Sequence, residues 1–304
     1  MYRFTKIGML IYFKVVLLNI LIVVLFPLVV IQAMWVRKKT LRLPEASGNR
    51  KITSLESGET PDSSSDDALD DAPDDAPLFK VLVLGDSAAA GVGAKKQEHA
   101  LLGQLHHRIS SMALSQLSHL SPLSHPAHLL RSDNVAVSSW LLAQTGFTSG
   151  DVLQTLKSQQ VEALSVALVS VGVNDVTRFT SIMQWQRNIQ ALIDTLTNTF
   201  KCQLIIFTAL PPMHLFPAIP QPLRSILGAR ARILNQVMSD QLQCNENTAL
   251  LFVSSMGEGV SMKEMFDSGL MAHDGFHPSE KGYALWADEA VHLIERITQK
   301  INRL

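Results

Sequence analysis

Cysteine is nearly absent from this chain: two residues in 304, Cys202 and Cys244. Their spacing fits neither a zinc-binding cluster nor a CxxC redox pair, so no such chemistry is expected; one disulfide and two buried thiols both remain open. Net charge is scarce too. The formal total is −1 and no basic stripe crosses the globular part, which argues against nucleic acid as a partner. The glycine-bearing stretch Gly85-Asp86-Ser87-Ala88-Ala89-Ala90-Gly91-Val92-Gly93 lacks the fingerprints it superficially invites. A Walker A loop needs glycine at Ala90, a dinucleotide fingerprint needs it at Lys96, and a G-x-S-x-G elbow needs it at Ala89. Neither a nucleotide, an organic cofactor nor a metal is therefore expected.

Apolar residues are plentiful, at 47% of the chain. The length fits one large domain or two small ones. Behind a basic tail at residues 1–14, the run 15–36 carries no charged side chain and has the length of a membrane span. A cleaved signal peptide is the alternative, but the run is long for one and no small-residue cleavage site follows. Trp35 and then Arg37, Lys38 and Lys39 follow instead, as at an interfacial anchor, so one uncleaved transmembrane helix is expected. Residues 37–77 read as a linker. Its second part, 56–77, holds nine carboxylates and no basic residue, and reads as a disordered spacer without the glycine and spacing of a calcium loop. The globular domain is expected over 78–304. Flanking positive charges nearly tie, so sidedness rests on two weaker arguments. The short basic tail favours a cytoplasmic N-terminus, and a disulfide between Cys202 and Cys244 would suit an oxidising compartment. A periplasmic domain on a bacterial inner membrane is the resulting expectation.

Within the domain, Phe79–Leu84, Asn134–Leu142, the ALVSVGV stretch within 161–173, Gln203–Leu210 and Ala249–Val253 read as buried strands. Between them 97–117, 180–200 and 223–241 read as helices, and a last amphipathic helix carries Tyr283, Trp286, Ala290 and Ile294 on one face. The Ser-, Leu- and His-rich stretch 113–130 reads as a solvated insertion. Alternating strands and helices predict a five-stranded parallel sheet covered on both faces. Ligands of such sheets bind beyond the carboxyl ends of the strands.

Four segments occupy that edge. Ser87 follows the first strand among small neighbours, where turn N–H groups can hold a developing oxyanion. Gly146 lies in the turn after the second strand, and Asn174, an amide donor, in the turn after the third. Asp274 precedes His277 by three residues just before the last helix, a spacing that lets the carboxylate orient the imidazole as base for a serine. Taken singly, a turn glycine, a capping asparagine and a His-Pro loop are ordinary structural features.

Together, Ser87 in GDS, Gly146 in TGFTS, Asn174 in GVND and His277 in DGFH resemble, in order, the four blocks of the GDSL, or SGNH, hydrolases. The resemblance spans roughly 78–297. It departs from the family pattern in reading GDSAAAG for GDSL and in the 113–130 insertion. It implies a flavodoxin-like α/β/α sandwich, a triad of Ser87, His277 and Asp274, and an oxyanion hole from the Ser87 and Gly146 N–H groups with the Asn174 amide. It implies ester hydrolysis through an acyl-enzyme on a small-molecule or lipid ester. Carbohydrate O-acetylesterase and thioesterase activities share such a site, and a binding module with a degenerate site is the alternative outside enzymes. Met213, Leu215, Phe216, Ile219 and Leu223, after the fourth strand, either line an acyl pocket or pack on the neighbouring helix. His214 is a rival base without a local carboxylate.

Overall fold

The computed structural model describes residues 6–54, 78–112, 136–216, 218–253, 264 and 267–301. Its strands are β1 (Lys51–Ser54), β2 (Leu78–Gly85), β3 (Ala136–Ala143), β4 (Val166–Ser170), β5 (Leu204–Thr208) and β6 (Thr248–Leu251). Its helices are α1 (Lys6–Val24), α2 (Phe26–Lys39), α3 (Leu101–Ser110), α4 (Ser149–Lys157), α5 (Val173–Thr177), α6 (Ile182–Asp194), α7 (Leu223–Leu242) and α8 (Glu280–Ile301).

The sheet runs β1-β3-β2-β4-β5-β6. The five strands β2 to β6 are parallel and follow the doubly wound order 2-1-3-4-5. They read as continuous apolar runs because both faces are covered. Leu82, Leu84, Ala167, Val169, Ile205 and Phe207 face a core shared with α4, α6 and α7. Their neighbours Val81, Val83, Val166, Leu168, Leu204 and Ile206 face the opposite core, shared with α3 and α8. The result is a three-layer sandwich.

The sheet has one strand more than expected and is mixed. β1 pairs antiparallel with β3, Lys51 opposite Trp140. Lys-Ile-Thr-Ser carries no apolar alternation to announce a strand; it forms because the open edge of β3 offers unpaired backbone groups. The linker boundary moves accordingly. Ala46 is buried, Ser47 bridges Lys96, and Arg50 Nη1 donates to the Ala143 carbonyl at 2.7 Å, so residues 45–54 belong to the domain. The acidic run 56–77 and the insertion 113–130 lie outside the described residues. The helix expected over 97–117 is a 3-10 turn, Gln97–His99, followed by α3; that over 180–200 is α6 closed by a π turn, Thr195–Thr199.

The apolar N-terminal run is not one unbroken helix. It splits into α1 and α2, bent by 81°. Pro27, at the start of α2, has no N–H to donate to the Val23 carbonyl, which opens the helical ladder at that point. Among the described residues no single helix is long and apolar enough to cross a membrane. The bent pair passes that test of length and composition only when its two helices are taken together, and both helices contact the domain. Leu18 and Val29 are buried in the same core as Leu227 and Ile233 of α7. Gln32 Nε2 donates to the Gln221 carbonyl at 2.6 Å, and its Oε1 accepts from the Leu223 N–H at 3.1 Å.

Candidate active site

Strand register levels the carboxyl ends of three strands, with Gly85 opposite Ala143 on one side and Ser170 on the other. Three of the four sequence blocks therefore leave from one edge, at the point where strand order reverses and a crevice opens.

After β2 the chain enters consecutive turns rather than a helix. Val92 N–H donates to the Ser87 carbonyl at 3.0 Å and Ala88 N–H to Asp86 Oδ1 at 3.1 Å. Gly93 shows why no helix follows directly. Its φ is +104°, and a Cβ there would meet the Pro278 carbonyl oxygen at 2.2 Å. That close approach brings the turn against the C-terminal loop that carries His277. Tyr283, fully buried on α8, adds a second tie through its hydroxyl, which donates to the Val92 carbonyl at 2.7 Å.

In that loop Asp274 Oδ1 accepts from the Phe276 and His277 N–H groups at 2.9 and 3.1 Å, and Oδ2 accepts from His277 Nδ1 at 2.6 Å. With Nδ1 donating, Nε2 is the acceptor, and it lies 2.8 Å from Ser87 Oγ. His277, not His214, is thus the histidine on Ser87. Burial pushes the Asp274 carboxyl up, but the His277 side chain, the Phe276 N–H and attraction to His277 outweigh it and hold the pKa below the ordinary range. Asp86, beside the serine, goes the other way. Burial raises it to about 6 against the Ala88 N–H bond and the nearby His277.

Gly146 and Asn174 arrive at the same edge. Gly146 has φ +91°, a region most residues avoid. Asn174 Nδ2 donates one hydrogen to the Phe147 carbonyl at 2.9 Å, leaving a second. Among the described residues, the Ser87 and Gly146 N–H groups donate to no protein acceptor.

Several positioning residues carry no separate signal in the sequence. Asp175, fully buried, accepts from the Ser149 N–H at 2.9 Å and Ser149 Oγ at 2.7 Å, locking the block after β4 to the start of α4. Arg178 Nη2 donates to the Gly146 carbonyl at 2.8 Å. Glu45 Oε1 accepts from the Thr145 N–H at 2.6 Å. Asp175 and Ser149 sit inside GVND and TGFTS and are legible as parts of those blocks; Glu45 lies a hundred residues from its partner and is not.

A cavity of about 1390 Å³ opens at Ser87, Gly146, Asn174 and His277. Met213, Phe216, Ile219 and Leu223 line it while also packing in the core. Phe216 meets Phe276 edge to face at 5.8 Å, next to His277. Leu215 does not line the cavity. It ends a 3-10 turn, Met213–Leu215, and packs against the core instead. Both cysteines are free, Cys202 buried and Cys244 exposed, so neither a disulfide nor a pair of buried thiols is found. Among the described residues no three His, Cys, Asp or Glu side chains converge as metal ligands would.

The sequence model of the GDSL-like lipase/acylhydrolase family matches residues 83–285, and the chain belongs to that family. Among solved structures it is similar to a lipase from a goat rumen metagenome, at 16% identity and a TM-score of 0.50 over 70% of this chain and 96% of that one. It is also similar to the psychrotrophic esterase EstA from Pseudoalteromonas sp., at 18% identity and a TM-score of 0.46 over 72% of this chain and 98% of that one. At such identities the likeness concerns the fold alone. No curated protein matches the chain.

Proposed function

We propose that the protein is a serine hydrolase of carboxylic esters, with Ser87 as nucleophile. The observation that carries this reading is the continuous relay from Asp274 through His277 to Ser87 Oγ at 2.6 and 2.8 Å. His277 Nε2 takes the hydroxyl proton as Oγ bonds to the ester carbon. The charge that develops on the carbonyl oxygen is held by the Ser87 and Gly146 N–H groups and the second Asn174 hydrogen. When the tetrahedral adduct collapses, the bond to the alcohol breaks and His277 returns the proton to that alcohol. Water, deprotonated by the same imidazole, then releases the acid and regenerates Ser87. A fluorophosphonate probe tests the assignment: it should label the wild type at Ser87 and leave Ser87→Ala unlabelled. Labelling at another residue would sink it.

The bent apolar pair α1–α2 is proposed to hold the enzyme at a lipid surface. Supporting this are its exposed Phe13, Ile20, Val23 and Ile31, and Lys39, whose ammonium lies 4.6 Å from the Trp35 ring centroid. A periplasmic domain stays a proposal resting on the short basic tail alone, since the disulfide argument is gone. A reporter fused after residue 304 that works only when exported tests it.

A further inference from the structure

We infer that the docked N-terminal helix pair is a wall of the substrate site, and that the space it closes takes one long hydrocarbon chain of the ester. This rests on the hydrolase reading and deepens it to long-chain acyl esters. The cavity that opens at Ser87 continues, as one space, to Leu17, Leu18 and Leu21 of α1 and to Ala33 and Met34 of α2. Its volume of about 1390 Å³ exceeds the roughly 300–1,000 Å³ common for small-molecule sites. A short acyl group would occupy only its catalytic end and leave apolar walls against water, which is unfavourable. Met213, Phe216, Ile219 and Leu18 give a hydrocarbon chain an apolar wall, while Lys14, Arg37 and Arg232 also border the space.

The pair is held there by specific contacts, not by loose apposition. Gln32 clamps the backbone at Gln221 and Leu223 from both sides of its amide, and Leu223 itself lines the cavity. Leu18 is buried in the domain core and lines the cavity too. The bend at Pro27 is what lets one apolar segment present two walls. Each methylene buried in such a space adds up to roughly fourfold to kcat/KM.

The full-length chain tests this on 4-nitrophenyl acetate, octanoate and palmitate. Wild type should favour the longer esters. Leu18→Trp and Ala33→Trp each place an indole in the far end of the cavity and should lower kcat/KM for palmitate by about tenfold or more while changing acetate by about twofold or less. Melting curves of both variants accompany the kinetics. The inference is overturned if the palmitate-to-acetate ratio is unchanged in both variants, if acetate falls in proportion to palmitate in folded variants, or if the wild type cleaves acetate but not palmitate. A wild type that cleaves no ester and takes no fluorophosphonate at Ser87 defeats the hydrolase reading itself, a separate failure.

Discussion

Among the described residues lie two serine–histidine hydrogen bonds of nearly equal length, Ser87 to His277 at 2.8 Å and Ser139 to His106 at 2.9 Å. Ser139 is fully buried in the middle of β3 and His106 is buried on α3, with its Nδ1 rather than Nε2 on the hydroxyl. No carboxylate is bonded to His106 among the described residues, and burial, then the neighbouring His107, lower its pKa. Ser87 stands just past a strand end, facing a cavity, with an imidazole oriented by a buried carboxylate. The bond itself is the same. What separates the two is access, the backing carboxylate and N–H groups left without a protein acceptor, none of which a serine–histidine distance reports.

The largest contrast should come from removing each hydroxyl. Ser87→Ala should lower ester hydrolysis by about 10⁴-fold or more with the fold intact. Ser139→Ala should leave kcat/KM within about threefold but destabilise the protein by ~1–3 kcal/mol, because His106 loses its buried partner. Chemical denaturation alongside ester kinetics reads both, and a Ser139→Ala enzyme as inactive as Ser87→Ala would erase the distinction.

Next comes the carboxylate. Asp274→Asn removes the acceptor that fixes the His277 tautomer and should cost about 10³–10⁴-fold in kcat. A loss confined to KM would show that Asp274 shapes the pocket instead. The oxyanion side should be smaller: Asn174→Ala is expected to reduce kcat by about 10²–10³-fold at nearly constant KM.

The smallest effect is a pH effect on stability, and it belongs to the structural pair. His106 binds its proton less readily when folded than when unfolded, so the unfolded state takes up more protons as pH falls through the ordinary histidine range. Stability from this group is therefore present above that range and lost below it. Melting temperature should fall between about pH 7 and about pH 5, and less so in His106→Asn. An equal slope in the variant would assign the dependence elsewhere, and Asp86 is not a substitute. Its raised pKa makes stability fall as pH rises toward about 6, the opposite sign.

Much of the site is legible in the amino-acid sequence. Ser87, Gly146, Asn174 and His277 each follow a strand end or precede the last helix, and strand ends are signalled locally by apolar runs that stop at glycine and polar residues. His277 is separable from His214 because Asp274 is only three residues away. The lining residues are half legible. Met213, Phe216, Ile219 and Leu223 do border the cavity and also pack in the core, so the two readings are not exclusive, whereas Leu215 is turned away by a 3-10 turn that its apolar neighbours do not signal.

The sequence by itself determined the sandwich and the order of the four blocks, because buried strands and strand-end residues leave signals within a few positions of themselves. Tertiary structure alone decided the rest. Lys51–Ser54 became a strand only because β3, some ninety residues on, offered an edge. The apolar run 15–36 has the composition of a membrane span, and nothing local in it says that its halves will fold back on α7. That depended on Leu18 and Val29 finding an apolar face, and on Gln32 meeting the backbone at Gln221 and Leu223. Hydrophobic burial carries no direction of its own, so which surface such a segment covers is set by the shape and hydrogen-bonding groups of the partner it meets.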